Sequence, residues 1–403
     1  MHNKNSIDEL ALFGGTPLFR TPKSTSNLLQ PDFDRFMDYS TLFLQANHYI
    51  NGGPAVSLLE QRLADFHHAA HCITVCSGFW GLALTIRALA IPGKSEIIMP
   101  SLTYRRMPDV AAWVNLKPRF CEVDAATLAM TAETVEPHLN ENTALILAPH
   151  PIVNQCDVQG LLTLTQARQI PLLFDAVESV YEGTALGKVG SLGQAEVFSI
   201  HACKLINGFG GGYITTNDDA LSRQLRTLRN QGLDEHGKLT ACAGMNAHLN
   251  EMHAAMALAS LDDVDQQVLR NQQRYRTYQT RLAGLPGIRL LAFDESCPTG
   301  YKNIVVELLD DWPLTRQMTL QVLNAEKILA RAYYWPALHQ KDMLFPHIPA
   351  HLPITDALAE KFVNLPCGHL VDTQDIEKIV DFMQFIFNHA KQIVQRTQTA
   401  GQA

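Results

Sequence analysis

Apolar positions along the first two-thirds of the chain switch repeatedly between helical and strand-like spacing. From Val56 to His67, Leu58, Leu59, Leu63 and Phe66 fall on one face, which predicts an amphipathic helix. Residues 80–90 (WGLALTIRALA) predict a second helix that opens just after Ser77-Gly78. Short apolar runs then alternate with helical stretches: a strand at 97–100, a helix near 106–114, and strand-like segments at 118–124 and 144–148. A helix at 158–169 precedes further strand-like runs at 171–176, 196–200 and 211–216. Strands that alternate with helices predict an α/β layer built on a mostly parallel sheet.

The pattern changes after about residue 245. One long helical stretch runs from Asn250 to Gly284 and Pro286. A strand at 303–308, a helix at 315–328 and a final amphipathic helix from Thr373 to about Gln395 follow. This predicts a large α/β domain over residues 1–250 and a smaller α+β domain over 251–403, entered through the long helix. Only the last dozen residues read as a frayed tail.

Composition narrows the classes. Of 403 residues, 46% are apolar and 18% charged, which suits a chain that buries sizeable cores. A net charge of −8 gives no basic field to recommend nucleic acid or an anionic membrane as partner. The longest run free of both charged residues and histidine, Cys72 to Ile86, is too short and too polar to span a bilayer. The eight cysteines are scattered without a CxxC pair and read as reduced thiols of a cytoplasmic protein. The 16 histidines form no HExxH or Cys/His ladder, so no metal site is expected.

Three positions carry candidate chemistry, each with an ordinary alternative. Asp175 ends the run PLLFDA, where strand carboxyl ends face the ligand crevice of an open α/β sheet. An acid there can sit against a cationic ring nitrogen, or cap the next helix. Lys204 stands soon after a buried strand and before glycines, in VFSIHACKLINGFGGG. It reads either as a surface lysine or as a desolvated amine of lowered pKa that can form a Schiff base. Ser77-Gly78-Phe79-Trp80, at a helix start, offers a phosphate seat or a plain cap with two core aromatics. Neither GxxxxGK[ST] nor GxGxxG is present, which leaves ATPase-type phosphate loops and dinucleotide-binding dehydrogenases unsupported.

Taken together these positions become specific. EIIMPSLTY (96–104), HPIVNQCD (150–157), LFDAVES (173–179), VFSIHACKLINGFGGG (197–212), LRNQG (228–232), GMNAHLNEMHAAMAL (244–258) and ILARAYYWPALH (328–339) stand in order. With ALFGGTP (11–17) and Leu365-Pro366 they extend over nearly the whole chain, and the sequence resembles the DegT/DnrJ-type sugar aminotransferases of fold type I.

That resemblance implies a pyridoxal 5'-phosphate (PLP) enzyme with pyridoxamine phosphate as its intermediate form. Lys204 would hold PLP as a Schiff base and shuttle the proton. Asp175 would pair with the pyridinium nitrogen and keep the ring an electron sink. Tyr104 would stack on the ring. Ser77, the backbone amides near Gly78 and Phe79, and the Ser199 hydroxyl would hold the phosphate. Asn246 would reach the phosphate of the neighbouring subunit, making a homodimer part of the site. The implied reaction moves an amino group from an amino acid to a keto acceptor, such as a keto-sugar, cyclitol or natural-product intermediate.

The departures from the family pattern are equally specific. Phe79-Trp80 replaces the usual Thr-Ser or Thr-Ala. Glu178 replaces a Gln or His near the PLP phenolate; a carboxylate there would be protonated, turned away, or turned toward the substrate. Gly210 replaces a glutamate, Val153 a glycine, and His248 a basic residue of the GxNxR stretch. His201 reads as wall, not as catalyst. These changes motivate two alternatives: a PLP enzyme performing elimination, decarboxylation or cyclisation, and a non-catalytic ligand sensor on the same scaffold.

Overall fold

The computed structural model describes residues 4–26 and 31–400. Seven strands form the central sheet: β1 (His71–Val75), β2 (Glu96–Pro100), β3 (Lys117–Cys121), β4 (Thr143–Pro149), β5 (Leu172–Asp175), β6 (Ala195–Ser199) and β7 (Gly212–Thr216). Their spatial order is β1-β7-β6-β5-β4-β2-β3. Only β7 runs antiparallel to its neighbours; every other pair in the sheet is parallel. The predicted α/β class and mostly parallel sheet are therefore observed. The strands read as unbroken apolar runs because both faces are covered: Ile97, Ile98, Met99 and all of Ala144 to Ala148 are fully buried.

The sheet contains a strand that the periodicity did not mark. β1 (HCITV) is five residues long, between one helix and the next. Helices at Phe33–Ala46 and Asp219–Arg229 were also not predicted. The long helix after residue 250 is in fact two, Glu251–Asp262 and Val264–Leu282. Asp263 breaks it, its amide turning back to Ser260 O. No Gly or Pro marks the break in the sequence. Tertiary contacts fix it instead: Asp262 accepts from Tyr39 and pairs with Arg62, and Asp263 pairs with Arg35.

A second, antiparallel sheet joins Ile288–Leu290, Ile304–Leu308, Phe362–Leu365 and Arg331–Ala332 in that order. The last helix runs from Thr373 to Ala400, through most of the tail expected to fray. Its apolar face continues to Ile386, Ala390 and Ile393, all buried. Arg396 then lies over the Phe13 ring and pairs with Asp8, which ties the tail down. Among the described residues no helix is long and apolar enough to cross a membrane. All eight cysteines are free thiols.

The first residues pack against the end of the chain, although the sequence reading grouped them with residues up to 250. Lys23–Ser24 pairs in parallel with Ile328–Leu329. Glu326, fully buried, accepts from the amides of Ala11 (2.7 Å) and Leu18 (2.6 Å) and pairs with Lys4 (3.2 Å). One carboxylate thus satisfies two backbone donors that would otherwise be buried unpaired. Glu326→Ala should cost about 2–4 kcal/mol of stability, the usual penalty for orphaned partners of a buried charge. Urea unfolding measures this loss, and trypsin should then cut at Arg20 or Lys23 in otherwise folded protein.

Candidate active site

The site lies where the carboxyl ends of the parallel strands meet the start of the Gly78–Leu89 helix. Register brings its parts together. Gly212 on β7 stands between Val75 on β1 and Ser199 on β6, and Asp175 on β5 stands beside Val197 on β6. Ser77 caps the helix, its hydroxyl accepting from the Trp80 amide at 3.3 Å. The first-turn amides of Gly78 and Phe79 thus lack the intrahelical acceptors that later residues have. A Cβ on Gly212 would lie 2.6 Å from both Gly78 N and Phe198 O, and one on Gly78 would lie 3.3 Å from Ser199 Cβ. Glycine is required at Gly212 so that three backbones can converge beside those amides.

The bulk that Phe79-Trp80 adds is accommodated. Both side chains are partly buried against an apolar core that includes Leu82, Met107 and Val110. Phe79 meets Trp80 edge-on at 5.1 Å, and Trp80 meets Trp113 edge-on at 5.0 Å. The aromatic bulk is taken up by the Met107–Trp113 helix, and the helix start keeps its backbone geometry.

Asp175 is 4% exposed, and its Oδ1 accepts from the Val177 amide at 3.1 Å. Burial pushes its carboxyl up to about 6, against the pull of that amide and of Lys204. An acid held this way is short of a cationic partner. Lys204 follows β6 by five residues, its amide turned back to His201 O. Its ammonium is bonded to Glu178 Oε1. Burial, the largest single influence, would lower the Lys204 pKa, as the sequence suggested, but Glu178, with Cys203 and Asp175, more than offsets it and the net direction is up.

Glu178 faces two lysines. Its other oxygen accepts from the ammonium of Lys302 and, at 3.4 Å, from Asn303 Nδ2. Burial alone would raise its pKa, yet Lys204 and Lys302 together hold the carboxyl well below the usual range. Lys302, 8% exposed, comes from the C-terminal part of the chain, just before the Ile304–Leu308 strand. Sequence reasoning missed it, because a lysine 98 positions from another gives no local signal. Tyr334 was missed too. It holds a left-handed φ of 48° and lies within electrostatic reach of Glu178, Asp175 and Tyr104.

The remaining predicted residues are more dispersed. Tyr104 lies beyond the end of β2 and is half exposed. Ser199 is partly buried, with its hydroxyl accepting from the His201 amide at 3.3 Å. Asn246 is exposed and bridges Asn230, while the neighbouring Ala247 carbonyl accepts from Cys76 N. His248 is bonded to Asn230 at 3.0 Å, and burial lowers its pKa. His201 is exposed and paired with Cys203. A Cβ on Gly210 would only touch His253 at 3.6 Å, so backbone crowding does not account for the lost glutamate.

Residues 33–384 match the model of the DegT/DnrJ/EryC1/StrS aminotransferase family. The chain belongs to that family. GDP-perosamine synthase of Vibrio cholerae is 26% identical over 343 residues, covering 83% of this chain and 92% of that one. The dTDP-4-amino-4,6-dideoxy-D-glucose transaminase of Shigella dysenteriae is 23% identical over 364 residues, covering 88% and 96%. The crystal structure of DesI, determined in the presence of its TDP-sugar product, superposes with a TM-score of 0.91 at 30% identity, covering 98% of this chain and all of that one.

This DegT-family chain is a PLP-dependent aminotransferase of fold type I. The residues present fit that cofactor. A buried acid makes no ion pair among the described residues, a lysine lies within electrostatic reach of it, and a helix start with open amides is kept clear by Gly212.

The raised Asp175 pKa has a stability consequence of definite sign. The unfolded value is about 3.9, so the cofactor-free fold is penalised increasingly from about pH 4 to 6, and fully above that. Asp175→Asn should stabilise the cofactor-free protein by about 2–3 kcal/mol at pH 7.5, with the gain vanishing near pH 4. Thermal unfolding across that range measures it. The same variant should bind PLP far more weakly.

Proposed function

We propose that this enzyme transfers an amino group from an amino acid donor to a keto-sugar, with Lys204 as the residue that carries PLP and moves the proton. The observation that carries this reading is the convergence of Asp175, Lys204 and the glycine-cleared helix start at one edge of the sheet. The acceptor class is drawn from the named relatives, which are a perosamine synthase and an amino-dideoxyglucose transaminase.

When bound, PLP supplies an electron sink that stabilises a carbanion next to nitrogen. The chain's own groups do the rest. Asp175 would hold a proton-bearing ring nitrogen, and a cation there would return its raised pKa to the ordinary carboxylate range. The open amides of Gly78 and Phe79, with the Ser77 and Ser199 hydroxyls, would hold the phosphate, helped by the helix dipole. Tyr104 would cover the ring face. Once released from its covalent link, the Lys204 amine would take a proton from the donor's alpha carbon and return one to the far side of the reacting system. Glu178 would orient that amine between transfers. The burial of Lys302 and Asp175, with Glu178 partly buried, limits the access of water that would compete for the proton.

The active unit in this reading is a homodimer, with Asn246 reaching the phosphate of the second copy. Its exposure in the single chain supports this, as do the exposed Phe33, Met37, Ile50, Phe209 and Met252. The division into a large domain to about residue 250 and a smaller one beyond is kept, with residues 4–26 regrouped onto the smaller one. The eight free thiols favour the cytoplasm.

Purified protein mixed with PLP should show a visible band that glutamate or glutamine converts to the pyridoxamine phosphate spectrum. Lys204→Ala should abolish both the band and borohydride trapping of the cofactor on the chain; a trapped link surviving in that variant would sink the assignment. Asn246→Ala should weaken PLP retention about tenfold, the value of one or two charge-assisted hydrogen bonds, as read by equilibrium dialysis. Retention equal to wild type would remove the cross-subunit contact.

A further inference from the structure

The bond between Glu178 and Lys204 poses a problem that the structure answers with a third residue. An amine that must act as nucleophile and base has to lose its proton. In the cofactor-free protein Glu178 opposes this, because it is an anion bonded directly to the ammonium. If Lys204 were its only partner, each deprotonation would strand a buried carboxylate. Glu178 would then hold the proton on Lys204 more tightly.

Lys302 removes that conflict. Its ammonium bonds the second oxygen of Glu178, on the side away from Lys204. Its backbone is fixed: the Lys302 carbonyl accepts from the Cys367 thiol at 2.9 Å, and the nearby Gly300 amide is bonded to Glu182 at 2.9 Å. Asn303 adds a weaker donor to the same oxygen. The other charged or ionisable groups nearby do not substitute for it. Asp175 and the Cys203 thiol act on Lys204, and both hinder loss of its proton. On the Glu178 side the facing groups are the Tyr333 and Tyr334 hydroxyls and the buried Cys367 thiol, all neutral at ordinary pH because burial raises them.

We propose that Lys302 is a positioning residue for Lys204 and acts through Glu178: by pairing with the same carboxylate it holds Glu178 in place and weakens its grip on the Lys204 ammonium, so that Lys204 can give its proton to solvent or substrate. In that step the Lys204 N–H bond breaks and the proton leaves. Glu178 stays charged and stays paired with Lys302. The inference rests on the reading of Lys204 as the cofactor lysine.

The test uses the full-length, cofactor-free protein. Competitive acetylation with acetic anhydride between pH 7 and 11, followed by mass spectrometry of the Lys204 peptide, gives the midpoint at which this amine becomes reactive. Lys302→Met should move that midpoint up by about one pH unit, so that labelling at a fixed lower pH falls about tenfold. Lys302→Arg should restore the wild-type midpoint. In a Glu178→Gln background the Lys302→Met shift should disappear. Lys302→Gln, which keeps a donor without the charge, carries the same expectation should Lys302→Met fail to fold. A midpoint that stays put or moves down overturns the proposal, as does a shift that persists in the Glu178→Gln background. Because no PLP is present, this outcome is separate from the visible band: a missing band would fail the cofactor reading alone, and an unmoved midpoint would fail the role of Lys302 alone.

Discussion

At Gly212, β7 passes between two strands that run the other way and touches both the carbonyl of Phe198 and the first residue of the Gly78–Leu89 helix. No side chain fits there. This close approach sets the helix start beside the ends of β5 and β6, and the remaining geometry follows from it. Ser199 meets Gly78, Asp175 lies one strand further along, and Lys204 turns back over the same edge. The constraint is steric and belongs to the backbone. This is why the helix start tolerates Phe79 and Trp80: Phe79 packs on Trp80, Trp80 packs on Trp113, and the backbone amides remain.

Electrostatics complete what sterics begin. Two carboxylates and two lysines share a small volume, yet they are not equivalent. Asp175 is buried without a cation and rises toward neutrality. Glu178 is buried between two cations and stays charged. Neighbouring acids driven to opposite protonation preferences are a common mark of a site prepared for proton transfer. Here one of the four charges, Lys302, comes from the far end of the chain. The C-terminal part of the molecule is therefore not just a cover. It contributes to the charge balance around the lysine.

Much of this was legible in the sequence. The alternation of short apolar runs with helical stretches identified six of the seven central strands. The ordered motifs around Asp175, Ser199 and Lys204 pointed to three residues that the fold brings to neighbouring strand ends. What was missed shares a physical character. β1 is too short to show a period between its flanking helices. The break at Asp263 is made by Arg35, Tyr39 and Arg62, residues more than 200 positions away. The last turns of the final helix look frayed by composition, yet they are held by Asp8 and Phe13. The fate of Glu178 could be reasoned about as an isolated carboxylate, but not its rescue by Lys302. Apart from β1, each miss depends on a contact between residues distant in sequence, which local pattern cannot carry.

The stitching of residues 10–24 onto Glu326, Ile328–Leu329 and the final helix has a consequence for the order of assembly. On the ribosome these early residues emerge some 300 positions before the groups that bind them, as the Leu18–Glu326 separation of 308 shows. At ordinary elongation rates of about 5–20 residues per second, that delay is on the order of 15–60 s. During it, Leu10, Leu18 and Phe19, all buried in the finished fold, have no partner to cover them. This segment is thus made long before it finds its place, and it docks only after Glu326 and Ile328–Leu329 have followed.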